Sequence, residues 1–363
     1  MKVLNISTAV IGLALASPAL GAERSGEEVY VATCASCHGS DGRGAPPSQT
    51  GLSIEPPDFT DCRRANREPD DDWYAVIAEG GPARRFHRLM SAFGEVLGEK
   101  EQEAVLEYVR GFCSEPAFPR GNLNLPRPLV TEKAFVEDEV VLSTTMATRS
   151  PRDVASKLVY ERRFLRRQQF EVIVPFEVAK TAEGSREAGI GDIAVGVKSV
   201  LLASLGTGSI LSLAGEVVLP TGNRDKGFGK GVVIIEPFVS FGQVLPWGSF
   251  LHMQAGAELP AKEATGVEAE GFLRAVLGTS LTAGRHGRTF SPMVEGVAFR
   301  ELTSGAATAL DVVPQIQIAL SRRQHILASL GASVPALERE GRNVRAMAYL
   351  LWDWFDGSLL EGW

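Results

Sequence analysis

The 363-residue chain has only four cysteines, five histidines and no excess of basic residues. Its 37 lysines and arginines are outnumbered by 44 aspartates and glutamates, which gives a net charge of −7. Nucleic-acid-binding proteins normally carry a basic excess, so no nucleic-acid partner is expected. Beyond the N-terminus, no apolar run approaches the about 20 residues that a membrane-spanning helix needs. The length suits two domains better than one.

The first 22 residues have the features of a secretory signal peptide. Lys2 precedes an apolar run from Ala9 to Ala16, and small residues follow around Gly21. The run is too short for a membrane anchor, so cleavage after export is predicted. Export places the chain in an oxidising compartment, where cysteine pairs form disulfides.

Three of the nine cysteine and histidine residues lie within the stretch Cys34-Ala35-Ser36-Cys37-His38. Two thiols at this spacing can add to the two vinyl groups of a haem, and the following histidine then binds the iron. The pattern predicts one covalent haem c on Cys34, Cys37 and His38. A redox disulfide would require a βαβ context, which is absent. A zinc site would require a second close pair, and Cys62 and Cys113 lie far apart in the sequence.

A second iron ligand is expected from the loop that contains Met90. The loop follows Gly80-Gly81-Pro82, and an amphipathic helix is predicted from Glu99 to Phe112. The CxxCH motif, the M-x-A-F-G loop and the final Y-V-R helix resemble a class I cytochrome c over residues 23–113. The resemblance implies that His38 and Met90 are the axial ligands and that the first and last helices cross near the haem edge. A thioether ligand favours Fe(II) and raises the reduction potential.

Two departures from this family pattern bear on the ligand assignment. Ser91 follows Met90, where the family usually has proline, and His87 is an alternative iron ligand three residues before Met90. The remaining cysteines, Cys62 and Cys113, are an even pair in an oxidising compartment. They are predicted to form a disulfide, with two buried free thiols as the alternative.

Residues 114–135 contain four prolines and no clear period, which predicts an extended, Pro-stiffened connector lying along a surface. From residue 136 to 363 the hydrophobic period changes from 3.6 to 2, which indicates strands. In the stretch ALDVVPQIQIAL, for example, Ile316 and Ile318 fall on one face and Gln315 and Gln317 on the other. About twelve such runs lie near 139–149, 155–164, 167–178, 190–203, 208–219, 232–244, 248–258, 269–282, 289–300, 309–320, 325–335 and 343–354.

Many of these runs are longer than the about 5–6 residues usual in soluble sheets. They match the about 9–11 residues that a spanning strand needs. Long loops alternate with tight turns, as in outer-membrane barrels. The fold class is therefore multidomain: a small all-α c-type cytochrome domain followed by an antiparallel transmembrane β-barrel of about twelve strands. The alternative is a soluble periplasmic β-sandwich.

The C-terminus supports the barrel. Trp363 resembles the terminal aromatic signal of outer-membrane barrels, and Tyr349, Trp352 and Trp354 would suit an interfacial aromatic girdle. The stretches GDIAVGVK and EVVLPTG resemble the outer-membrane barrels associated with phenol-degradation pathways, a family of transporters. This resemblance spans roughly residues 155–260 and bears on fold more than on substrate.

The sequence thus predicts a monohaem c-type cytochrome tethered to an outer-membrane barrel. It would carry electrons, rather than catalyse substrate chemistry, to or from a redox partner protein or an extracellular donor or acceptor. Outer-membrane barrels keep both termini in the periplasm, so the haem domain is expected on that side. The fusion resembles the porin–cytochrome iron oxidases of the outer membrane. The alternative is a small-molecule transporter or channel with the cytochrome as a periplasmic carrier or plug. His252, His286 and His325 are expected in the lumen or at turns rather than at a metal.

Overall fold

The computed structural model describes residues 24–51, 53–113, 115, 117–149, 153–180 and 186–353. The predicted signal peptide lies outside the described residues, as do Trp354 and Trp363. Among the described residues, 24–113 form a helical domain, and the strands between Glu139 and Asp353 form one antiparallel sheet.

The helical domain contains six α-helices and a 3-10 helix. The α-helices are α1 Gly26–Thr33, α2 Ala35–His38, α3 Pro47–Thr50, α4 Cys62–Ala65, α5 Asp70–Glu79 and α6 Glu99–Gly111, and the 3-10 helix is Gly81–Arg84. The predicted last helix is thus present at nearly the predicted position. None of the described helices is long and apolar enough to cross a membrane.

The first and last helices cross at close range, as the resemblance implies. Ser25 and Glu28 form a capping box that starts α1. A side chain at Gly26 would meet the carbonyl oxygen of Ala104 at 2.1 Å, so α6 can approach only because Gly26 lacks a Cβ. Tyr30, on the next turn of α1, is fully buried and makes aromatic contacts with α6.

The predicted disulfide between Cys62 and Cys113 is present, with 5.2 Å between the Cα atoms. It joins the start of α4 to the end of the helical domain, and the two cysteines are 51 residues apart in sequence. In the chain-entropy picture, a loop of this length contributes about 4 kcal/mol to stability.

The sheet contains fourteen strands, each antiparallel to its neighbours. They are β1 Glu139–Ala147, β2 Val154–Arg163, β3 Gln168–Lys180, β4 Arg186–Ile190, β5 Ala194–Ser204, β6 Ser209–Val218, β7 Ile234–Val244, β8 Ser249–Pro260, β9 Glu270–Thr279, β10 Leu281–Thr282, β11 Thr289–Glu301, β12 Ala309–Ala319, β13 Ile326–Leu337 and β14 Arg345–Asp353. β1 pairs with both β2 and β14, and β9 pairs with β11, so the sheet closes on itself.

The closed sheet is a barrel of twelve strands, as predicted. β4 and β5 pair with successive parts of β3 and form one strand interrupted at residues 191–193. β10 continues β9 after Ser280 in the same way and pairs with β11. The predicted strand positions agree with the observed ones to within a few residues at most ends.

The two faces of the barrel differ in polarity, which confirms the predicted alternation. Val197 of β5 is 51% exposed on the outer face, whereas the adjacent Lys198 is 1% exposed in the lumen. Ile316 and Gln317 of β12 show the same contrast. The outer face is apolar around the barrel, and the lumen carries the buried charges.

The segment between the two domains lies inside the barrel. Residues 121–138, called the plug below, are buried or half-buried throughout. Glu295 of β11 accepts hydrogen bonds from the backbone N–H groups of Leu129 at 2.7 Å and Thr131 at 3.0 Å. Tyr349 of β14 donates its hydroxyl proton to the carbonyl oxygen of Arg127 at 2.7 Å. The plug is therefore anchored to strands on several sides of the lumen.

Two sequence-based expectations are corrected by the plug. The connector predicted at 114–135 does not lie along a surface from residue 121 onward, because lumen side chains satisfy its extended backbone. Gln254, for example, accepts a hydrogen bond from the N–H of Glu132 at 3.1 Å. Tyr349 is 4% exposed in the lumen, so it does not belong to an interfacial girdle.

Candidate functional site: the CxxCH turn and its junction with the barrel

The two cysteines of the CxxCH motif lie one helical turn apart on the border between two helices. Cys34 ends α1, and its carbonyl oxygen accepts a hydrogen bond from the N–H of His38 at 2.9 Å. Cys37 lies within α2. Both cysteines are half-buried free thiols. Burial raises the pKa of the Cys34 thiol, which keeps it in the protonated form.

His38 is held as a neutral imidazole. Its ring stacks on Phe59, with 4.7 Å between the centroids. Burial lowers the pKa of His38 to about 4, so the ring is uncharged near neutral pH and has a lone pair available for a metal. Its Nδ1 atom is buried and has no hydrogen-bond partner among the described residues.

These three residues fit a covalently bound haem. Two adjacent thiols that form no disulfide with each other are suited to two thioether links, and a neutral imidazole follows them directly. The core beside them is apolar, and Cys34 and Ala35 pack against it. The orphaned Nδ1 atom of His38 indicates that this histidine is not used by the protein as a structural hydrogen-bonding group.

The loop that contains Met90 is folded back against the end of α5. The N–H of Gly81 donates to the carbonyl oxygen of Met90 at 2.9 Å, and the N–H of Phe93 donates to Ile77 at 2.9 Å. A Cβ at Gly81 would lie 2.3 Å from the carbonyl oxygen of His87, so the glycine is required for this close approach. Ile77 and Phe93 pack against the same core as Cys34. The Met90 loop and the CxxCH turn therefore border one core, and the assignment of Met90 to the iron stays a prediction.

His87 takes part in its own turn. Its ring is exposed, and its Nδ1 atom accepts a hydrogen bond from the N–H of Leu89 at 3.2 Å. His87 is therefore exposed and uses one ring nitrogen within its own turn, whereas His38 is more deeply buried. The structure favours His38 over His87 as a metal ligand.

The helical domain is docked on one end of the barrel, called the docked end below. Strand β1 begins and strand β14 ends at the docked end. Two turns, residues 283–288 and 320–325, also lie there. Arg84 pairs with Asp72 inside the helical domain and donates to the carbonyl oxygen of His286 at 2.7 Å. Gln324 donates to Asp72 at 2.9 Å. A buried ion pair of one domain is thus hydrogen-bonded by turns of the other.

A hydrogen bond and an ion pair extend the junction. The Nε2 atom of His325 lies 3.0 Å from Oε1 of Glu68 of the helical domain, and Arg67 pairs with Asp138 of the plug at 2.7 Å. Between the domains is a cavity of about 720 Å³, lined by residues 67–72 and Tyr74, by the start of the plug and by the turns of the docked end. The CxxCH domain therefore adjoins the lumen through an open cavity large enough for many water molecules.

No sequence pattern identifies these junction residues. Asp72 lies in the acidic first turn of α5, which begins at Asp70. His286 and His325 lie in turns and His252 in the lumen, as expected. The contacts between the helical domain and the barrel turns join residues more than 200 positions apart in sequence, such as Arg84 and His286.

Comparison with known proteins distinguishes the two domains. Residues 21–109 match the family described as Cytochrome C oxidase, cbb3-type, subunit III. The match includes Cys34, Cys37, His38 and Met90. The N-terminal domain is therefore cytochrome c-like, and the match does not extend into the barrel. No curated protein matches the chain.

Solved structures resemble the barrel only distantly. An outer membrane channel from Pseudomonas putida F1 shares 12% identity over 63% of this chain and 99% of that chain, with a TM-score of 0.44. The KdgM porin shares 9% identity over 60% of this chain and 99% of that chain, with a TM-score of 0.40. The NanC porin shares 7% identity over 59% and 98%, with a TM-score of 0.42. Because these TM-scores are low, the barrel assignment is based on the strand pairing observed within this chain.

Proposed function

We propose that the protein is a single-haem electron carrier of the outer membrane, with its cytochrome domain fixed to the periplasmic end of a plugged barrel. The observation that carries the proposal is the pair of free thiols at Cys34 and Cys37 beside the neutral imidazole of His38. When bound there, haem supplies reversible one-electron chemistry.

The residues of this chain would perform three tasks. Cys34 and Cys37 would attach the group covalently, which prevents its loss in the periplasm. His38 binds the iron from one side, with Phe59 fixing the plane of its ring. The Met90 loop is the source of the second ligand. A site closed on both sides by protein ligands favours electron transfer over substrate chemistry, so the protein is proposed to be a carrier and not an enzyme.

Membrane insertion is supported by the outer surface of the barrel. Its strands are long and present apolar side chains such as Leu213, Leu277 and Leu330, each at least 50% exposed. None of the described residues covers this apolar surface. Lipid would cover it if the barrel is inserted in a membrane. The turns at the docked end are short, whereas loops such as 219–233 at the opposite end are longer. Short turns are typical of the periplasmic side, which supports a periplasmic haem domain.

The plug bears on the alternative of a transporter. The segment 121–138 is buried in the lumen and hydrogen-bonded to its wall, which obstructs the passage of solutes. The cytochrome domain lies at the end of the barrel and not within it, which disfavours that domain as the plug. The proposed partner is therefore a redox protein, or an extracellular donor or acceptor, rather than a transported solute.

A redox titration of the purified full-length protein tests the proposal. The visible spectrum should show a c-type haem that titrates with one electron. Met90→Ala should lose the weak red-region band of a methionine–iron bond and lower the potential, whereas His87→Ala should leave both unchanged. Absence of a redox-active haem would refute the proposal. A spectrum altered by His87→Ala but not by Met90→Ala would refute the ligand assignment alone.

A further inference from the structure

Glu171 is a buried carboxylate with no protein partner. It projects from β3 into the lumen and is 2% exposed. Within the part of the chain that the structure describes, no hydrogen bond or ion pair involves its side chain, and its Oε2 atom is fully buried. An isolated buried carboxylate is costly unless a cation or a proton neutralises it. Its position therefore indicates a ligand.

Two other carboxylates converge on Glu171. Glu132 of the plug, Glu161 of β2 and Glu171 each offer one oxygen atom, and these atoms all lie within 4.8 Å of one another. The Oε1 atom of Glu161 is also buried without a hydrogen-bond partner among the described residues. Two strands thus contribute carboxylates that each have an unpartnered oxygen to the same cluster as a carboxylate of the plug.

The neighbouring cations leave part of this cluster without a hydrogen bond. Arg127 donates to one oxygen of Glu161 at 2.8 Å and to both oxygens of Glu132, at 3.2 and 3.4 Å. Lys198 lies 3.9 Å from Glu132 and 4.0 Å from Glu161, too far for a hydrogen bond. Arg127 also pairs with Glu139, so its charge is shared with a carboxylate outside the cluster.

Gly196 leaves room beside the cluster. A Cβ at this position would lie 2.7 Å from Oε1 of Glu171 and 2.8 Å from Cγ of Glu216. The absence of a side chain on β5 lets two carboxylates from flanking strands occupy the same part of the lumen. Glu216 adds a further carboxyl group next to the cluster.

We propose that Glu132, Glu161 and Glu171 bind one hard divalent cation of the size of Ca²⁺, and that this cation fastens the plug to the barrel wall. Carboxylate oxygens are the ligands that Ca²⁺, Mg²⁺ and Mn²⁺ prefer. Two oxygens bound to one Ca²⁺ at about 2.4 Å each are at most about 4.8 Å apart, so oxygens within 4.8 Å of one another can bind the same ion. Because Glu132 belongs to the plug and the other two belong to the wall, binding would stabilise the plugged state. The inference is independent of the haem.

Equilibrium dialysis with radioactive CaCl₂ tests the proposal on the full-length protein in detergent, after treatment with EDTA and desalting. The wild type should bind one Ca²⁺ and unfold at a higher temperature when CaCl₂ is present. Loss of a residue that only supports a metal ligand typically weakens metal binding by about tenfold or more. Glu171→Gln changes a ligand itself and should weaken Ca²⁺ binding by more than about tenfold. Glu258→Gln is the matched control, because Glu258 also belongs to a barrel strand but pairs with Lys230 at 2.7 Å. It should bind Ca²⁺ like the wild type.

Folding of each variant is checked by heat-dependent migration in gels. If Glu171→Gln does not fold, Glu132→Gln provides the same test from the plug, outside the barrel strands. Wild-type protein that binds no Ca²⁺ at millimolar concentration, or binding that is unchanged in Glu132→Gln, would overturn the proposal. A thermal midpoint that responds to acid but not to CaCl₂ would also overturn it, because a proton would then neutralise Glu171. None of these results would affect the haem assignment.

Discussion

Gln324 in a barrel turn donates a hydrogen bond to Asp72 of the helical domain, with 2.9 Å between Nε2 and Oδ1. Asp72 also pairs with Arg84, and Arg84 contacts the barrel through the carbonyl oxygen of His286. The helical domain is therefore docked through its interior ion pair rather than only through its surface. We expect the two domains to move as one unit.

Arg323→Ala should loosen this docking. Arg323 donates to the carbonyl oxygen of Arg84 at 3.2 Å, and its guanidinium lies 4.4 Å from the centroid of Phe86. Loss of the hydrogen bond and the cation–π contact should cost about 1–2 kcal/mol. Amide hydrogen exchange in residues 81–86 should accelerate roughly tenfold. The exposed neighbour Arg322 is the control, and equal exchange in Arg322→Ala and Arg323→Ala would contradict the docking contact.

Glu295→Ala should release the plug. Glu295 accepts hydrogen bonds from the backbone N–H groups of Leu129, Val130 and Thr131. The substitution leaves Val130 and Thr131 without this acceptor, whereas Leu129 keeps a hydrogen bond to Gln315 at 2.9 Å. Each such group costs about 1–3 kcal/mol when unsatisfied. In planar bilayers the wild type should conduct little, and the variant should show frequent openings. Glu301→Ala, at the exposed end of the same strand, should behave like the wild type. High conductance of the wild type would contradict a plugged lumen.

Ile316→Arg and Gln317→Arg should have opposite effects, although the residues are adjacent. Ile316 is 37% exposed on the outer face, where a charge facing lipid costs up to about 2–4 kcal/mol at the midplane and less towards the interface. Gln317 borders the cavity at the docked end, which has room for a longer polar side chain. Folding efficiency into vesicles should fall for Ile316→Arg and remain near wild type for Gln317→Arg. Equal folding of both variants would contradict membrane insertion.

Asp70 should make the stability of the helical domain depend on pH. Burial alone would raise the pKa of Asp70, but the guanidinium groups of Arg110 and Arg120 outweigh burial and hold the pKa below its ordinary value of 3.8. Because the folded-state pKa is the lower one, the stabilisation is complete above the unfolded value and is lost as the pH falls through the folded value.

Guanidinium unfolding of the full-length protein, followed through the helical domain, measures this effect between about pH 6 and about pH 3. The wild type should lose stability towards the acid end more steeply than Asp70→Asn. The control is Asp41→Asn, at an exposed position. Parallel pH profiles for wild type and Asp70→Asn would show that Asp70 does not contribute.

The strands were predictable because lipid and lumen impose opposite polarities on adjacent residues such as Val197 and Lys198. The CxxCH turn was predictable because its chemistry depends on residues adjacent in sequence. Tyr349 was misplaced because an aromatic residue near the end of a strand suits either a girdle or a lumen, and the sequence does not say which face it occupies.

The plug could not be predicted from its own residues. Its prolines and charges are typical of an exposed connector, and its hydrogen-bond partners are single side chains on separate strands. Gln254, Glu295 and Tyr349 are each more than 100 residues from the plug atoms they contact. The junction had no local pattern either, because Asp72 and Gln324 are 252 residues apart.

The intact mass of the protein extracted from outer membranes tests whether the CxxCH turn holds a covalent haem. The mass should equal that of the mature polypeptide plus one haem, retained after denaturation, with the haem on the peptide that contains Cys34 and Cys37. A Cys34→Ala, Cys37→Ala variant should have the mass of the polypeptide alone. Wild-type protein that has no covalent haem, or that carries a Cys34–Cys37 disulfide, would rule out haem attachment at this turn.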